Sequence, residues 1–125
     1  MTLLRVGIVG SRSRNAPKDK QLIRFVLEKQ LEKGYTLHLV SGGCRKGADK
    51  FAEELSEELH LGISIHYPDI KPDCQRWEYA LACYERNTLI ANECDILLAT
   101  WDGTSSGTFD TIKKTKSQNK PVVIL

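Results

Sequence analysis

Long hydrophobic segments are absent from this sequence of 125 residues. No apolar run approaches the about 20 residues that a membrane-spanning helix requires. The first residues, Met1 to Arg5, lead directly into a strand-like run and lack the anatomy of a secretory signal peptide. We therefore expect a cytoplasmic protein with no membrane partner.

A strong charge of either sign and metal-binding cysteine patterns are absent too. The formal net charge is only +2, so composition alone predicts neither a nucleic acid nor a membrane surface as partner. The four cysteines form no C-x-x-C pair and no metal-finger spacing. They are Cys44, Cys74, Cys83 and Cys94. We expect them to be structural thiols of a reducing compartment, and we predict no metal site.

The sequence does contain a regular alternation of strand-like and helix-like segments. Short apolar runs typical of strands cover Leu3–Val9, Tyr35–Val40, Gly62–Tyr67, Asp95–Thr100 and Pro121–Leu125. Helical patterns fill the intervals, the first with Asn15 as its expected cap and Gly34 as its stop. The order βαβαβαβαβ predicts an α/β fold, with residues 1–125 forming one doubly wound Rossmann-like domain. Its five-stranded parallel sheet should have the order 3-2-1-4-5, with helices on both faces.

The turn after the second strand has the composition of a phosphate-binding loop. Gly42 and Gly43 permit a close approach to the backbone, and Arg45 adds a cationic donor. The helix that follows offers free N–H groups and a dipole that favours an anion. An ordinary glycine-rich turn without a ligand would show the same residues.

Two further polar turns should lie at the same edge of the sheet, because the carboxyl ends of parallel strands meet there. Gly10, Ser11 and Arg12 follow the first strand, and the segment from Asp102 to Thr108 follows the fourth. The turns at the opposite edge carry no comparable groups. This asymmetry predicts a ligand site where the strand order reverses, between the first and fourth strands.

Several residues of these turns have two interpretations. Ser106, Gly107 and Thr108 either form a second anion site or cap a helix. Asp102 either accepts hydrogen bonds from a ribose or braces its turn. Trp101 either stacks on a base or belongs to the core.

Taken together, these motifs resemble the SLOG superfamily of Rossmann-like nucleotide-binding proteins, which includes DNA-processing protein A and the LONELY GUY phosphoribohydrolases. The resemblance covers nearly the whole chain. It rests on Val9–Arg12, Ser41–Asp49, Tyr84–Asn87 and Asp102–Thr108. It implies a nucleotide-derived ligand, with phosphate on both glycine-rich turns and no required cofactor. The implied ligand-binding residues are Gly10, Ser11, Arg12, Ser41, Gly42, Gly43, Arg45, Gly47, Asp49, Arg86, Asn87, Asp102, Ser106, Gly107 and Thr108.

One departure from the phosphoribohydrolase branch bears on catalysis. That branch carries a glutamate three residues after its Gly-Thr pair, and Thr111 stands at this position here. A threonine hydroxyl cannot replace a catalytic carboxylate at neutral pH. Asp110 is one position early, which rotates it by about 100° on a helix. The sequence therefore favours binding over catalysis, with Asp110 and Asp102 as the first candidates if the protein is an enzyme.

Three functions follow from these residues. The leading hypothesis is a nucleotide-binding sensor, carrier or sequestering protein, and the alternative is an N-glycosidase acting on nucleoside monophosphates. Single-stranded DNA binding is the third, but the small net charge and the dispersed lysines make nucleic acid an unlikely partner. By family analogy we expect a homodimer or a higher homo-oligomer.

Overall fold

A five-stranded parallel sheet forms the centre of the computed structural model, which describes residues 2–125. The strands are β1 (Leu3–Gly10), β2 (Thr36–Ser41), β3 (Gly62–Ile65), β4 (Ile96–Thr100) and β5 (Val122–Ile124). Their order is β3-β2-β1-β4-β5, so the predicted order is confirmed. Val6 of β1 is in register with Leu39 on one side and Ile96 on the other.

Four helices cover the two faces of the sheet, as predicted. They are α1 (Pro17–Glu32), α2 (Ala48–Glu58), α3 (Arg76–Glu93) and α4 (Ser106–Ser117). On one face, Leu27 of α1 and Leu55 of α2 pack against the sheet. On the other face, Ile90 of α3 and Ile112 of α4 do so. Within residues 2–125, no helix has both the length and the apolar character needed to cross a membrane.

The start of α1 differs from the expectation that Asn15 caps it. Ala16 is the N-cap residue, and the carboxylate of Asp19 accepts a hydrogen bond from the Ala16 N–H at 3.1 Å. Asn15 instead accepts a hydrogen bond from the Gly47 N–H at 2.8 Å. A local cap was the wrong prediction because the partner of Asn15 is distant in sequence. The bond joins the turn after β1 to the turn after β2.

The burial of α3 also differs from its sequence pattern. The spacing of Trp77, Leu81 and Tyr84 indicates an apolar face, yet Trp77 is 66% exposed and Leu81 is 48% exposed. The buried residues of the helix lie mainly in its second half, with Asn87 and Ile90 among them. The helix therefore packs on the sheet through its C-terminal half, and its N-terminal half extends past the strand ends.

Candidate functional site

A cavity of about 520 Å³ opens at the carboxyl ends of β1 and β4, where the strand order reverses. The three predicted turns and α3 surround it. The predicted site residues that line it are Gly10, Ser11, Arg12, Gly42, Asp49, Arg86, Asn87, Asp102, Ser106, Gly107 and Thr108. The convergence of the turns, which the sequence predicted from strand order, is thus present in the structure.

Four residues of the predicted site lie outside the cavity lining. Ser41 is fully buried at the end of β2. Gly43 has a φ of +77°, and a Cβ there would meet the Tyr67 ring. Arg45 is exposed to solvent. Gly47 also has a positive φ, and its N–H is already bonded to Asn15.

Side chains of the protein itself bind parts of the backbone in the turn after β2. The carboxylate of Asp49 accepts a hydrogen bond from the Cys44 N–H at 2.9 Å through Oδ2. The guanidinium of Arg86 donates to the Gly42 carbonyl through Nη1. A Cβ on Gly42 would lie 2.6 Å from Arg86 Nη1 and 3.1 Å from Asp49 Oδ2. A side chain at position 42 would therefore have to displace the Arg86 guanidinium from the Gly42 carbonyl.

Asp49 is therefore a carboxylate fixed in the wall of the cavity. Burial raises the pKa of Asp49 above its ordinary value, and the Cys44 N–H and the positive charge of Arg86 offset that effect only in part. The interpretation of this turn as a phosphate site must accordingly be revised, because the Asp49 carboxylate already accepts the Cys44 N–H and lies where the phosphate was expected.

Arg86 and Asn87 are held by contacts within the chain. Arg86 Nε donates to the Asn87 Oδ1 at 3.0 Å. Asn87 is buried, and its Nδ2 donates to the Gly107 carbonyl and to an Asp110 carboxylate oxygen, each at 3.2 Å. The pair connects α3 to the turn after β2 and to the first turn of α4.

The turn after β4 is organised by Asp102. One oxygen of its carboxylate accepts hydrogen bonds from the Thr104 N–H and the Ser105 N–H, both at 2.9 Å. The other accepts from the Ser13 hydroxyl at 2.7 Å. These bonds lower the pKa of Asp102, the Thr104 N–H contributing most. Of the two interpretations of Asp102, the structure supports the one in which it braces its turn.

The N-terminus of α4 leaves donors free at the cavity wall. The N–H groups of Ser106, Gly107 and Thr108 have no hydrogen-bond partner within residues 2–125. All three residues line the cavity, and a Cβ on Gly107 would meet no atom within 4 Å. The N–H groups of Ala48, Asp49 and Lys50 at the start of α2 also have no partner within residues 2–125, but of these three residues only Asp49 lines the cavity. The start of α4 therefore presents more unpaired donors to the cavity than the start of α2 does.

Arg12 extends from the turn after β1 towards α3. Its side chain is exposed, and the Tyr79 hydroxyl beside it, with the Cys44 thiol, raises the pKa of the guanidinium. Ser11, by contrast, is 2% exposed, and its hydroxyl accepts a hydrogen bond from the Asp102 N–H at 3.0 Å. Arg12 is thus the exposed cation of this turn, whereas Arg14 is bound to Asp19 and to two backbone carbonyls.

The two candidate catalytic carboxylates are both engaged elsewhere. Asp110 forms an ion pair with Lys114 at 2.9 Å and is not part of the cavity lining. Asp102 braces its own turn, as described above. Thr111 does line the cavity, but it is 1% exposed and its hydroxyl donates to the Gly107 carbonyl at 3.2 Å.

Sequence reasoning missed an aromatic wall of the cavity. Tyr79 and Tyr84 line it from the exposed half of α3, with Cys83 between them. The sequence does contain a signal for this wall. Cys83 and Tyr84 lie three residues before Arg86 and Asn87, and Tyr79 lies four residues before Cys83, so all of them share one face of the helix. Trp101 lies outside the cavity lining and stacks on Phe109, with ring centroids 5.6 Å apart.

Residues 2–125 contain no group of three or more histidine, cysteine or acidic side chains that could hold a metal ion. The cysteines are all free thiols, with Cys94 buried.

Three solved structures share this fold. DNA processing protein A from Streptococcus pneumoniae matches 96% of this chain and 49% of its own, with a TM-score of 0.73 and 17% identity. The Helicobacter pylori protein of the same name is described for its unique single-stranded DNA binding mode. Its match covers 97% of this chain and 64% of the Helicobacter pylori chain, with a TM-score of 0.64 and 21% identity. UDP-GlcNAc 2-epimerase from Neisseria meningitidis, solved with UDP-GlcNAc bound, matches 98% and 31%, with a TM-score of 0.54 and 18% identity.

These likenesses establish the fold alone, because every identity is low. This chain spans less than two thirds of the length of each of these proteins. No protein-family model and no curated protein matches the sequence. The architecture is therefore a Rossmann-like fold of the kind seen in DNA processing protein A. Of the proteins that share it, one was solved with UDP-GlcNAc bound and another is described for its single-stranded DNA binding mode.

The expectation that nucleic acid is an unlikely partner is wrong on this comparison. One of the proteins with this fold binds single-stranded DNA. The expectation rested on a net charge of +2, which averages over the whole surface. The average conceals the exposed cations of two turns at one edge of the sheet, Arg12, Arg45 and Lys46.

Proposed function

We propose that this protein binds a phosphate-bearing nucleotide derivative in the cavity above β1 and β4 and acts as a sensor, carrier or sequestering protein. The observation that carries the proposal is the N-terminus of α4. Its three unpaired N–H groups, from Ser106 to Thr108, face the cavity at the positive end of the helix dipole. Arg12 can add a charge-assisted hydrogen bond.

The rest of the cavity suits the remainder of a nucleotide. Tyr79 is 42% exposed and Tyr84 is 36% exposed, so each offers part of a ring to an incoming base. A volume of about 520 Å³ lies within the range of small-molecule sites. No cofactor is needed for binding of this kind.

Calorimetry with matched ligands tests the proposal. We expect nucleoside 5′-monophosphates to bind at least about tenfold more tightly than the corresponding nucleosides, because only the former reach the α4 donors. Native mass spectrometry of the purified protein should identify any nucleotide that it retains. Equal affinity for nucleosides and nucleotides, or no binding of either, would contradict the proposal.

The proposed function does not include hydrolysis. Asp110 is held by Lys114, and the position of the hydrolytic glutamate is occupied by Thr111. Incubation with nucleoside monophosphates should therefore release no free base above background, as followed by chromatography. Turnover that disappears in Asp110→Asn would instead identify an N-glycosidase.

Single-stranded DNA binding is a second candidate, favoured by aromatic and cationic side chains around the cavity. Phe109 lies next to the cavity lining, where one side of its ring stacks on Trp101. Its side chain is 47% exposed and lies under Lys113, with 5.8 Å between the ammonium and the ring centroid. With the tyrosines of α3 and with Arg12, it supplies the stacking surfaces and the charge that single strands require.

Fluorescence polarisation separates the two candidates. A labelled deoxythymidine homopolymer should bind with an affinity that falls steeply as salt is raised if DNA is the ligand. Failure of the strand to bind while mononucleotides do would leave the first candidate alone.

A further inference from the structure

The two sides of the cavity present different groups to a ligand. On the α4 side, the free N–H groups of Ser106, Gly107 and Thr108 attract an anion. On the β2 side, Asp49 lines the cavity, with its Oδ2 fixed by the Cys44 N–H at 2.9 Å. A ligand that spans the cavity therefore meets donors at one end and a carboxylate at the other.

We infer that Asp49 is a specificity-determining residue, whose carboxylate makes the β2 side of the cavity a site for a hydroxyl-bearing sugar and excludes a second phosphate there. The inference rests on the proposed function and assigns the orientation of the ligand. The phosphate lies on α4, and the sugar hydroxyls face Asp49.

Hydrogen bonding is the first reason for this orientation. An ionised carboxylate only accepts hydrogen bonds. Oδ2 of Asp49 already accepts one from the Cys44 N–H, and the Gly42 N–H and the Ser41 hydroxyl lie close enough to lower the pKa of the carboxylate as well. The two carboxylate oxygens offer about four acceptor positions, so capacity remains on the cavity side. A ribose hydroxyl can supply the missing donor, whereas a phosphate oxygen at neutral pH cannot.

Electrostatics is the second reason. Arg86, whose positive charge acts on the Asp49 carboxylate, donates to the Gly42 carbonyl and to the Asn87 side chain. Some of its guanidinium N–H groups are therefore already bound within the protein. Moving a second phosphate to this side would bring two anions together in a partly desolvated space. The glycines of the turn do not create room for it, because Arg86 and Asp49 already cover Gly42.

The test compares three ligand types by calorimetry on the wild-type protein and on Asp49→Asn. The probes are the 5′-monophosphates of adenosine, guanosine, cytidine and uridine, their 2′,3′-dideoxy counterparts and their 5′-diphosphates. Glu57→Gln is the matched control, since it removes an exposed carboxylate from the same helix at its far end.

For the wild type we expect removal of the sugar hydroxyls to weaken binding by about ten- to a hundred-fold, the worth of a charge-assisted hydrogen bond. We expect the diphosphate to bind no more tightly than the monophosphate. Asp49→Asn should lose most of the hydroxyl preference and should bind the diphosphate better. Glu57→Gln should reproduce the wild-type ratios.

The wild-type ratios alone decide the inference if Asp49→Asn does not fold. Equal affinity for the ribose and dideoxy forms, or a diphosphate that binds about tenfold more tightly than the monophosphate, would overturn it while leaving nucleotide binding intact. A complete absence of binding by the monophosphates would instead refute the proposed function, and the inference with it.

Discussion

The turn after β2 and the turn after β4 have similar sequences and opposite structural roles. Both are rich in glycine and both lead into a helix at the same edge of the sheet. In the first, the side chains of Asp49 and Arg86 bind the Cys44 N–H and the Gly42 carbonyl, so the protein itself covers this backbone. In the second, Asp102 satisfies only Thr104 and Ser105, and the donors that follow remain free. A glycine can allow either a ligand or a side chain of the same protein to approach the backbone closely, and only the folded structure shows which of the two it is.

Blocking the free donors of α4 should have the largest effect. The Cβ position of Gly107 points into open space, so Gly107→Val should fold but should fill the proposed phosphate site and abolish nucleotide binding. Thermal shift with nucleoside monophosphates measures this, and Gly107→Ala should show a partial loss. Undiminished ligand stabilisation in Gly107→Val would remove α4 from the site.

Replacing one glycine by alanine in each turn should change the free energy of unfolding by different amounts. Gly42→Ala should lower the free energy of unfolding by about 1–3 kcal/mol, because the new Cβ collides with Arg86. Gly107→Ala should change it by no more than about 0.5 kcal/mol. Urea denaturation of both variants makes the comparison. Similar losses at the two positions would break the distinction drawn between the turns.

Separate alanine substitutions of Arg12 and Arg86 distinguish ligand binding from stability. Arg12→Ala should weaken nucleotide binding by about ten- to a hundred-fold with little change in stability, since its side chain is exposed. Arg86→Ala should destabilise the protein by about 1.5–3 kcal/mol, because it removes the charged donor to Gly42. Calorimetry and denaturation measure the two effects. A loss of affinity confined to Arg86→Ala would return the phosphate to the β2 side.

The smallest expected effect concerns the pH dependence of the β4 turn. Folding lowers the pKa of Asp102, so its contribution to stability is present above the ordinary aspartate value of about 4 and is lost as the pH falls towards the folded-state pKa. Asp102→Asn should therefore have a lower melting temperature than the wild type at pH 7, and the difference should shrink below about pH 4. If the difference in melting temperature does not change with pH, the contribution of Asp102 to stability does not depend on the charge of its carboxylate.

The fold could be predicted because each of its signals is local. Strand-like runs and helical spacings fixed the element order, and the handedness of parallel crossovers then left one sheet order. The meeting of three turns at one edge followed from that order. Element boundaries shifted by a few residues, as at β3, which ends at Ile65 where the pattern suggested Tyr67.

The chemistry of the turns could not be predicted because their partners are distant in sequence. Gly42 contacts Arg86, which lies 44 residues further along the chain. Asn15, expected to cap its own helix, binds Gly47. A pattern of glycines and charges contains no information on which of these groups meet after folding.

The uneven packing of α3 has a mechanical consequence for the cavity. The C-terminal half of the helix is held by buried Ile90 and by Lys120, whose ammonium binds the Ala91 and Asn92 carbonyls at 2.7 and 2.9 Å. The half that carries Tyr79 has few buried residues. Amide hydrogen exchange should accordingly slow from Arg76 towards Glu93. If a nucleotide is the ligand, we expect the Tyr79 end of the wall to be the part that adjusts to bases of different size, because Arg86 and Asn87 are held by their own hydrogen bonds.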